Sequence, residues 1–248
     1  NGILHYVKLR RGVRWVSCVP KTEQFSVPVK DLVEDTLTTS EFDYVFCASG
    51  HFSVPNIPEF PGLDKFPGRV LHSHDFRSAD EFAGKDVLCV GSSYSSEDIG
   101  IQCYKYGAKS VTFSFRTRPM GFKWPENFSE LPLLERVEGK TCVFKDGTRK
   151  EIDAIVLCTG YLHHHPFLED TLRLKTRNRL YPPSIYKGIF WWGNPKLMYI
   201  GMQDQFYTFN MFDAQAWYAR DVVLGRIKRP HYTEMAADIQ KWITMEEA

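Results

Sequence analysis

Two ten-residue segments of this 248-residue chain resemble each other without a gap, and they limit the possible folds more than any other feature. The first runs from Glu41 to Gly50 and the second from Glu151 to Gly160. Each begins with an acidic residue, continues through an apolar run and ends in small residues and a glycine, which is typical of a buried strand leading into a turn. Two copies predict two dinucleotide-binding folds in one polypeptide; chance similarity of two buried strands is the alternative.

Short alternating segments precede both copies. Residues 13–16 and 25–27 lie before the first copy, and residues 141–144 with a turn at 145–148 lie before the second. Such segments predict antiparallel meanders that each feed a parallel strand. The first half of a dinucleotide-binding fold, a strand, a glycine-containing loop, a helix and a second strand, is recognisable before the second copy at residues 86–116. No such half is recognisable before the first copy. We therefore expect the upstream half of the first fold to lie outside this sequence.

The opening half of the second fold has the order strand, glycine-containing loop, helix, strand. Residues 86–90 form an apolar run, residues 97–106 have apolar side chains at helical spacing, and residues 110–115 form a second strand-like run. Gly107 follows the predicted helix, where glycine commonly ends helices. This order is that of a βαβ dinucleotide-binding unit.

The loop of this unit departs from the G-x-G-x-x-G pattern. Only Gly91 is kept, while Ser93 and Ser96 stand at the other two glycine positions. Serine is still small enough for close backbone approach, and its hydroxyl adds a hydrogen-bond donor. Because a helix begins after the loop, its unpaired amides and positive dipole end predict a pyrophosphate site there.

The end of the second strand indicates which dinucleotide is bound. An NAD site has an acidic residue roughly 20 residues after the loop, where it binds the ribose 2′-hydroxyl. At that distance from Ser96 this chain has Arg116, followed by Thr117 and Arg118. A guanidinium suits the 2′-phosphate of NADPH because it donates charge-assisted hydrogen bonds in a planar fork. A solvated basic turn is the alternative.

Composition excludes several other classes of function. The chain has 31 basic and 30 acidic residues with no basic run, so we expect no nucleic-acid partner. No apolar stretch is long enough to span a membrane, so we expect no membrane partner either. The six cysteines form no C-x-x-C pair, which indicates a reducing, cytoplasmic location without disulfides.

Several motifs, in order along the chain, resemble one enzyme family. Residues 66–76 fit the pattern F-x-G-x-x-x-H-x-x-x-[YF], which resembles the signature of the flavin-containing monooxygenases, and Phe76 favours the N- and S-oxygenating branch over the Baeyer–Villiger branch. Residues 91–100, 116–121 and 201–215 resemble the corresponding segments of the bacterial trimethylamine monooxygenases within that family.

The resemblance implies an α/β fold of two Rossmann-like dinucleotide-binding domains, with the NADPH domain inserted in an FAD domain that is incomplete here. It divides the chain into residues 1–60, the end of the first FAD-domain half with its meander; 61–80, a linker with the signature; 81–165, the NADPH domain; and 166–248, the return to the FAD domain. Within that return, apolar spacing predicts a helix over residues 210–224.

The resemblance also implies an activity. It predicts a monooxygenase that uses NADPH, FAD and O2 to convert small tertiary amines, such as trimethylamine, to their N-oxides, and that also oxygenates thioethers. Its partners would be the amine or thioether and O2, together with a second copy of the chain if the protein forms a homodimer. The other possibilities left open are a disulfide reductase, a Baeyer–Villiger monooxygenase or a non-catalytic NADP-binding fragment.

Individual site residues follow from the matched motifs. The resemblance implies catalytic roles for Tyr94, beside the nicotinamide, and for Asp204, on the substrate side. It implies cofactor contacts for Val13, Gly91, Ser92, Ser93, Tyr94, Ser95, Arg116, Thr117, Gln205 and Thr208. The alternatives are a packed aromatic for Tyr94 and an ordinary turn carboxylate for Asp204. We expect no metal site at residues 163–165, because three consecutive histidines point in different directions.

Overall fold

A computed structural model describes residues 2–177, 179–204 and 207–247. Its helices are α1 (Tyr94–Lys105), α2 (Thr208–Val223) and α3 (Tyr232–Glu247). Its strands are β1 (Arg11–Val13), β2 (Ser17–Val19), β3 (Gln24–Asp31), β4 (Leu37–Phe42), β5 (Val45–Cys47), β6 (Val54–Pro55), β7 (Arg69–His72), β8 (Asp86–Val90), β9 (Ser110–Phe115), β10 (Phe128–Pro132), β11 (Leu134–Glu138), β12 (Thr141–Phe144), β13 (Arg149–Glu151), β14 (Ala154–Leu157), β15 (Tyr161–Leu162), β16 (Ile185–Tyr186), β17 (Phe190–Trp191) and β18 (Leu197–Tyr199).

The chain divides into two compact units. The inserted unit runs from Pro55 to Tyr161 without interruption, and the discontinuous unit contains the residues before and after it. The two ends of the inserted unit meet, because the amide of Asn56 donates to the carbonyl of Gly160 at 2.9 Å. The Asn56 side-chain amide also donates to the carbonyl of Thr159 at 3.1 Å.

The inserted unit is built on a five-stranded sheet with the order β10-β9-β8-β14-β7. Every neighbouring pair in this sheet is parallel. Parallel sheets are usually covered on both faces, so their strands are apolar throughout rather than alternating. This explains why the residues of β8 and β14 were recognisable from sequence as continuous apolar runs.

Both faces of this sheet carry a hydrophobic core. Successive side chains of a strand point to opposite faces, so Val87 and Cys89 of β8 pack on one face and Leu88 and Val90 on the other. The first face packs against α1 through Ile99 and Cys103. The other residues of this cluster include Phe82, Ala108, Val111, Phe113, Ala154 and Val156. The second is covered by the antiparallel β11-β12-β13 sheet, through Leu134, Val137, Cys142 and Phe144.

The structure confirms the internal repeat. In each copy an antiparallel sheet precedes a short strand, which is β5 in the first copy and β14 in the second. Both strands have a parallel neighbour, β18 for β5 and β8 for β14. The closing glycines Gly50 and Gly160 both have a φ of 79°, in the left-handed region that favours glycine. The strand and the turn of the first copy therefore have the same conformation as those of the second copy.

The discontinuous unit contains two sheets and two long helices. Strand β3 pairs antiparallel with β1, β2 and β4, and a second sheet has the order β16-β17-β18-β5. One core cluster is formed by Val16, Phe25, Val27, Cys47, Leu168, Leu172, Leu174, Ile185, Leu197, Tyr199 and Met202. Ala219 of α2 and Met235 of α3 bury their side chains in another cluster with Phe190 and Met198.

Three elements differ in extent from the sequence expectation. Helix α1 begins at Tyr94, earlier than the predicted residue 97, because the carbonyl of Ser93 already accepts from the amides of Ser96 and Glu97. Helix α2 covers Thr208–Val223 where 210–224 was predicted. The segment 61–80, expected to be a linker, supplies the edge strand β7. No helix in the described part of the chain is long and apolar enough to cross a membrane.

Candidate cofactor sites

At Gly91, in the turn after β8, both the backbone conformation and the neighbouring atoms require a glycine. Gly91 has a φ of 138°, and a β-carbon there would lie 2.3 Å from the carbonyl oxygen of Cys158. Its amide donates to the carbonyl of Ser114 at 2.9 Å, which ties the turn to the end of β9. The one glycine kept from the G-x-G-x-x-G pattern thus stands where the turn after β8 approaches the main chain of Cys158 closely.

This turn lies at the topological switch point of the inserted unit. From β8 the chain proceeds through α1 to β9 and then β10 on one side, while β14 and β7 lie on the other. In open parallel sheets, ligands bind outside the carboxyl ends of the strands where the order reverses. The turns after β8 and β14 both lie at that point.

The serines of the loop surround the start of α1. Ser93 is the N-cap residue, and its hydroxyl makes no capping hydrogen bond. Ser92 is half-buried and donates to the carbonyl of Arg118 at 3.4 Å, while Ser93 and Ser95 are exposed. The first-turn amides and these hydroxyls form a suitable environment for a pyrophosphate. Tyr94, the first residue of α1, is 43% exposed.

Close packing of α1 on the sheet depends on a glycine that sequence reasoning did not single out. A β-carbon on Gly100 would lie 2.5 Å from the ring of Phe113 in β9. Ser96, one helical turn earlier, is fully buried. Small residues four apart lie on one helix face, so both allow α1 to approach the sheet. The only sequence signal for Gly100 was a glycine inside a predicted helix.

Basic residues follow the end of β9. Arg116, Thr117 and Arg118 are all exposed, and neither guanidinium forms an ion pair with any residue that the structure describes. Because β9 is the direct neighbour of β8, this basic turn lies at the strand end next to the Gly91 turn. The residues present therefore fit a dinucleotide that carries a 2′-phosphate.

The monooxygenase-like signature has a structural explanation within the inserted unit. Phe66 is buried in the core, and a β-carbon on Gly68 would lie 2.1 Å from the carbonyl oxygen of Asp153. Phe76 stacks on the buried ring of Phe82 with centroids 6.0 Å apart. These three signature positions serve packing around β7 and β14.

His72, the signature histidine, holds the turn after β14. Its Nδ1 accepts from the amide of His74 at 3.0 Å, so Nε2 carries the proton and donates to the carbonyl of Gly160, also at 3.0 Å. Burial is the main cause that lowers the pKa of His72, which keeps the imidazole neutral. His72 therefore acts as a structural hydrogen-bonding residue beside the predicted cofactor turn.

The discontinuous unit has an apolar groove of about 480 Å³ at the carboxyl end of β5. Val13, assigned from the resemblance to the FAD adenine, lines this groove together with Phe42, Phe46 and Ala48. An apolar, aromatic-lined groove at a strand end suits a planar ring. The residues present thus fit the adenine end of a flavin dinucleotide.

The other residues assigned to the flavin lie before and at the start of α2. Thr208 is the first residue of α2, and the exposed Asp204 stands four positions before it in the sequence. The amide of Asp204 donates to the carbonyl of Arg179 at 2.9 Å. Gln205, the remaining assigned residue, lies outside the described residues.

Three buried histidines form a cluster in the discontinuous unit. The ring centroid of His163 lies 6.0 Å from that of His51 and 6.3 Å from that of His165. His163 and His165 thus share one side of an extended segment, unlike our expectation that residues 163–165 all point differently, because side chains two apart align. Burial lowers the pKa of both to about 4. Among the described residues, no group of three ligands is arranged to hold a metal ion.

The fold and the candidate sites are those of a dinucleotide-binding flavoprotein. One complete βαβ unit, in the inserted unit, interrupts the chain of the discontinuous unit. The chain belongs to the flavin-binding monooxygenase-like family, whose model matches residues 1–120 and 131–247. It is 63% identical to the trimethylamine monooxygenase of Methylocella silvestris, over all of this chain and 55% of that protein.

Solved structures are similar as well. The structure of Tmm from Pelagibacter sp. strain HTCC7211 is 53% identical with a TM-score of 0.88, covering 100% of this chain and 56% of that one. The S-allyl-L-cysteine S-oxygenase of Allium sativum is 26% identical with a TM-score of 0.80, covering 99% and 56%. The chain thus spans about half the length of these relatives.

Proposed function

We propose that the whole protein is an NADPH- and O2-dependent flavin monooxygenase that converts small tertiary amines, above all trimethylamine, to their N-oxides. The observation that carries the proposal is the Gly91 turn at the switch point of a parallel sheet, with an unpaired arginine at the neighbouring strand end. Its occurrence in a chain 63% identical to a trimethylamine monooxygenase supports the substrate.

The inserted unit would hold NADPH. Gly91 lets the pyrophosphate approach the backbone, and the loop hydroxyls with the start of α1 donate hydrogen bonds to it. Arg116 and Thr117 would bind the 2′-phosphate, which is the group that separates NADPH from NADH. Tyr94 is assigned to the nicotinamide end from the resemblance.

The discontinuous unit would contribute to FAD binding. Val13 and the apolar groove would hold the adenine, while Gln205 and Thr208 would lie at the ring and Asp204 on the substrate side. Bound flavin supplies the oxygen-activating chemistry, and the protein orients the groups and excludes water. Such a reaction requires no nucleophile or acid–base pair from the chain.

A second candidate activity is oxygenation of thioethers. The relative from Allium sativum is named as an S-oxygenase, and a thioether sulfur is, like a neutral amine nitrogen, a soft nucleophile. A cytoplasmic location and assembly as a homodimer complete the proposal. A disulfide reductase is disfavoured because the six cysteines form no C-x-x-C motif and all are unpaired.

The test is turnover by the full-length protein. Purified protein is loaded with FAD, and NADPH oxidation is followed with trimethylamine, dimethyl sulfide or methimazole, with the N- or S-oxide and hydrogen peroxide quantified. We expect trimethylamine N-oxide in proportion to the NADPH consumed. A protein that is colourless after unbound FAD has been removed would refute the flavin assignment. Equal peroxide release with and without amine, and no oxide, would refute the substrate.

A further inference from the structure

A buried pair of glutamines holds the segment that leads into the assigned flavin-side residues. The amide of Gly201 donates to Oε1 of Gln215 in α2 at 2.9 Å. Nε2 of Gln215 donates to Oε1 of Gln203 at 2.7 Å, and Nε2 of Gln203 donates to the carbonyl of Leu180 at 2.9 Å. Gln215 is 2% exposed and Gln203 is 9% exposed, so no bulk solvent competes for these bonds.

The chain segment that receives these bonds is itself anchored. Nε of Arg179 donates to Oε2 of Glu246 in α3 at 3.1 Å, and the amide of Leu180 donates to Oε1 of the same carboxylate at 3.1 Å. The carbonyl of Arg179 then accepts from the amide of Asp204. The segment Gly201–Asp204 is thus fixed from α2 and, through Arg179 and Leu180, from α3.

An amide side chain satisfies both ends of this arrangement, because it carries an acceptor and a donor on neighbouring atoms. Gln215 must accept from Gly201 and donate to Gln203, and Gln203 must accept from Gln215 and donate to Leu180. The backbone also makes room for the pair, because a β-carbon on Gly188 would lie 2.1 Å from Oε1 of Gln203. A fully satisfied buried network of this kind specifies one geometry, whereas an apolar pair would pack without fixing the main chain.

We propose that Gln215 and Gln203 are positioning residues for oxygen transfer. They fix the main chain of Gly201–Asp204 and so set where Asp204 is presented to the flavin and substrate. The inference rests on the proposed function, which assigns Asp204 and Thr208 to that side. Neither glutamine is itself assigned to touch cofactor or substrate.

Loss of positioning has a specific signature. A misplacement of about 1 Å at a reacting group can cost on the order of 100-fold in rate. If NADPH and O2 are still consumed while the amine is misplaced, the two electrons from NADPH reduce O2 to hydrogen peroxide and no N-oxide forms. The ratio of N-oxide formed to NADPH consumed therefore reports positioning, and a loss of general stability would not change it.

The experiment uses the full-length protein loaded with FAD. We expect Gln215→Leu and Gln203→Leu each to lower the ratio of N-oxide to NADPH several-fold and to shift the flavin absorption band, with KM for NADPH unchanged. Because both belong to one network, the double variant should be no worse than the worse single variant. Gln240→Leu, at an exposed glutamine of α3, should match the wild type.

Each outcome is decisive. Variants that melt at lower temperature but keep the wild-type ratio and flavin band would reduce the pair to a structural role. If the leucine variants do not fold, Gln215→Glu, which keeps the bond from Gly201 but cannot donate to Gln203, is assayed in the same way. A wild-type protein that forms no N-oxide contradicts the proposed function and, with it, the positioning role, whereas normal N-oxide formation by the wild type with unaltered variants contradicts the positioning role alone.

Discussion

The carbonyl oxygen of Cys158 lies 2.3 Å from the place where a β-carbon on Gly91 would stand. Gly91→Ala must therefore separate the ends of β8 and β14 in addition to adopting an unfavourable φ. We expect a loss of about 2–5 kcal/mol in the free energy of unfolding, the sum of the φ penalty and overpacking. NADP binding should weaken in parallel, measured by denaturant unfolding and by titration of the full-length protein.

Gly107→Ala is the matched control. Gly107 also has a positive φ, at 89°, but no atom lies within 4 Å of its added β-carbon. Only the φ penalty of about 1–2 kcal/mol applies there, and NADP binding should be unchanged. Equal effects at the two glycines would contradict the importance of the Cys158 contact.

Arg116→Ala should change the choice of nicotinamide cofactor. Removing one charge-assisted contact to the 2′-phosphate costs about 1.5–3 kcal/mol, which corresponds to a rise of about 10- to 100-fold in KM for NADPH. KM for NADH should stay the same, since NADH lacks that phosphate. Steady-state kinetics with both cofactors measure the effect, and Lys65→Ala, at an exposed lysine of the inserted unit, serves as the control. A parallel rise with both cofactors would argue against the assignment.

His72→Phe should destabilise the inserted unit. The substitution leaves the amide of His74 and the carbonyl of Gly160 without their side-chain partner at a position that is only 3% exposed. Unpaired buried groups cost about 1–3 kcal/mol each. Urea unfolding should therefore show a midpoint clearly below that of His74→Ala, which removes a half-buried side chain but keeps both hydrogen bonds of His72. Identical midpoints would show that the two hydrogen bonds are dispensable.

Acid should destabilise the discontinuous unit through its buried histidines. The pKa values of His163 and His165 fall to about 4 when folded, whereas an unfolded histidine titrates near 6.5. Because the folded pKa is the lower one, the unfolded chain binds more protons below pH 6.5. The stability present above that pH is lost between about pH 6.5 and 4, by up to about 3 kcal/mol per imidazole.

Unfolding measured across this pH range tests the effect. The double variant His163→Leu with His165→Leu should flatten the dependence, while His164→Leu, at an exposed neighbour, should retain it. An unaltered pH profile in the double variant would assign acid sensitivity to other groups.

Sequence alone located the βαβ unit to the residue at β8 and β9, because β8 is a continuous apolar run after Asp86 and β9 carries an apolar residue at every second position. Strand β7 was not predicted, since Val70 and Leu71 are its only apolar residues and its pairing with β14 is distant in sequence. Position relative to the loop sufficed to place Arg116 directly after β9.

The buried hydrogen bonds of polar side chains could not be predicted from the sequence. Gln203 and Gln215 resemble surface glutamines in a one-dimensional pattern, and only the approach of α2 to Gly201 makes them partners. The same holds for His72, whose two hydrogen bonds depend on where the chain returns at Gly160. Residues that satisfy main-chain groups of distant segments carry no periodic signal.

The bond between Asn56 and Gly160 means that the part of the chain to which we assign the nicotinamide cofactor begins and ends at one place. One uninterrupted stretch of coding sequence, for Pro55–Tyr161, specifies this unit. The bonded residues Asn56 and Gly160 each lie next to one of its two ends. A gene segment with this layout could be exchanged between relatives as a single block, carrying with it Arg116, the arginine that we assign to the 2′-phosphate. Under the proposed function, coenzyme preference could then be inherited, or engineered, separately from the choice of amine.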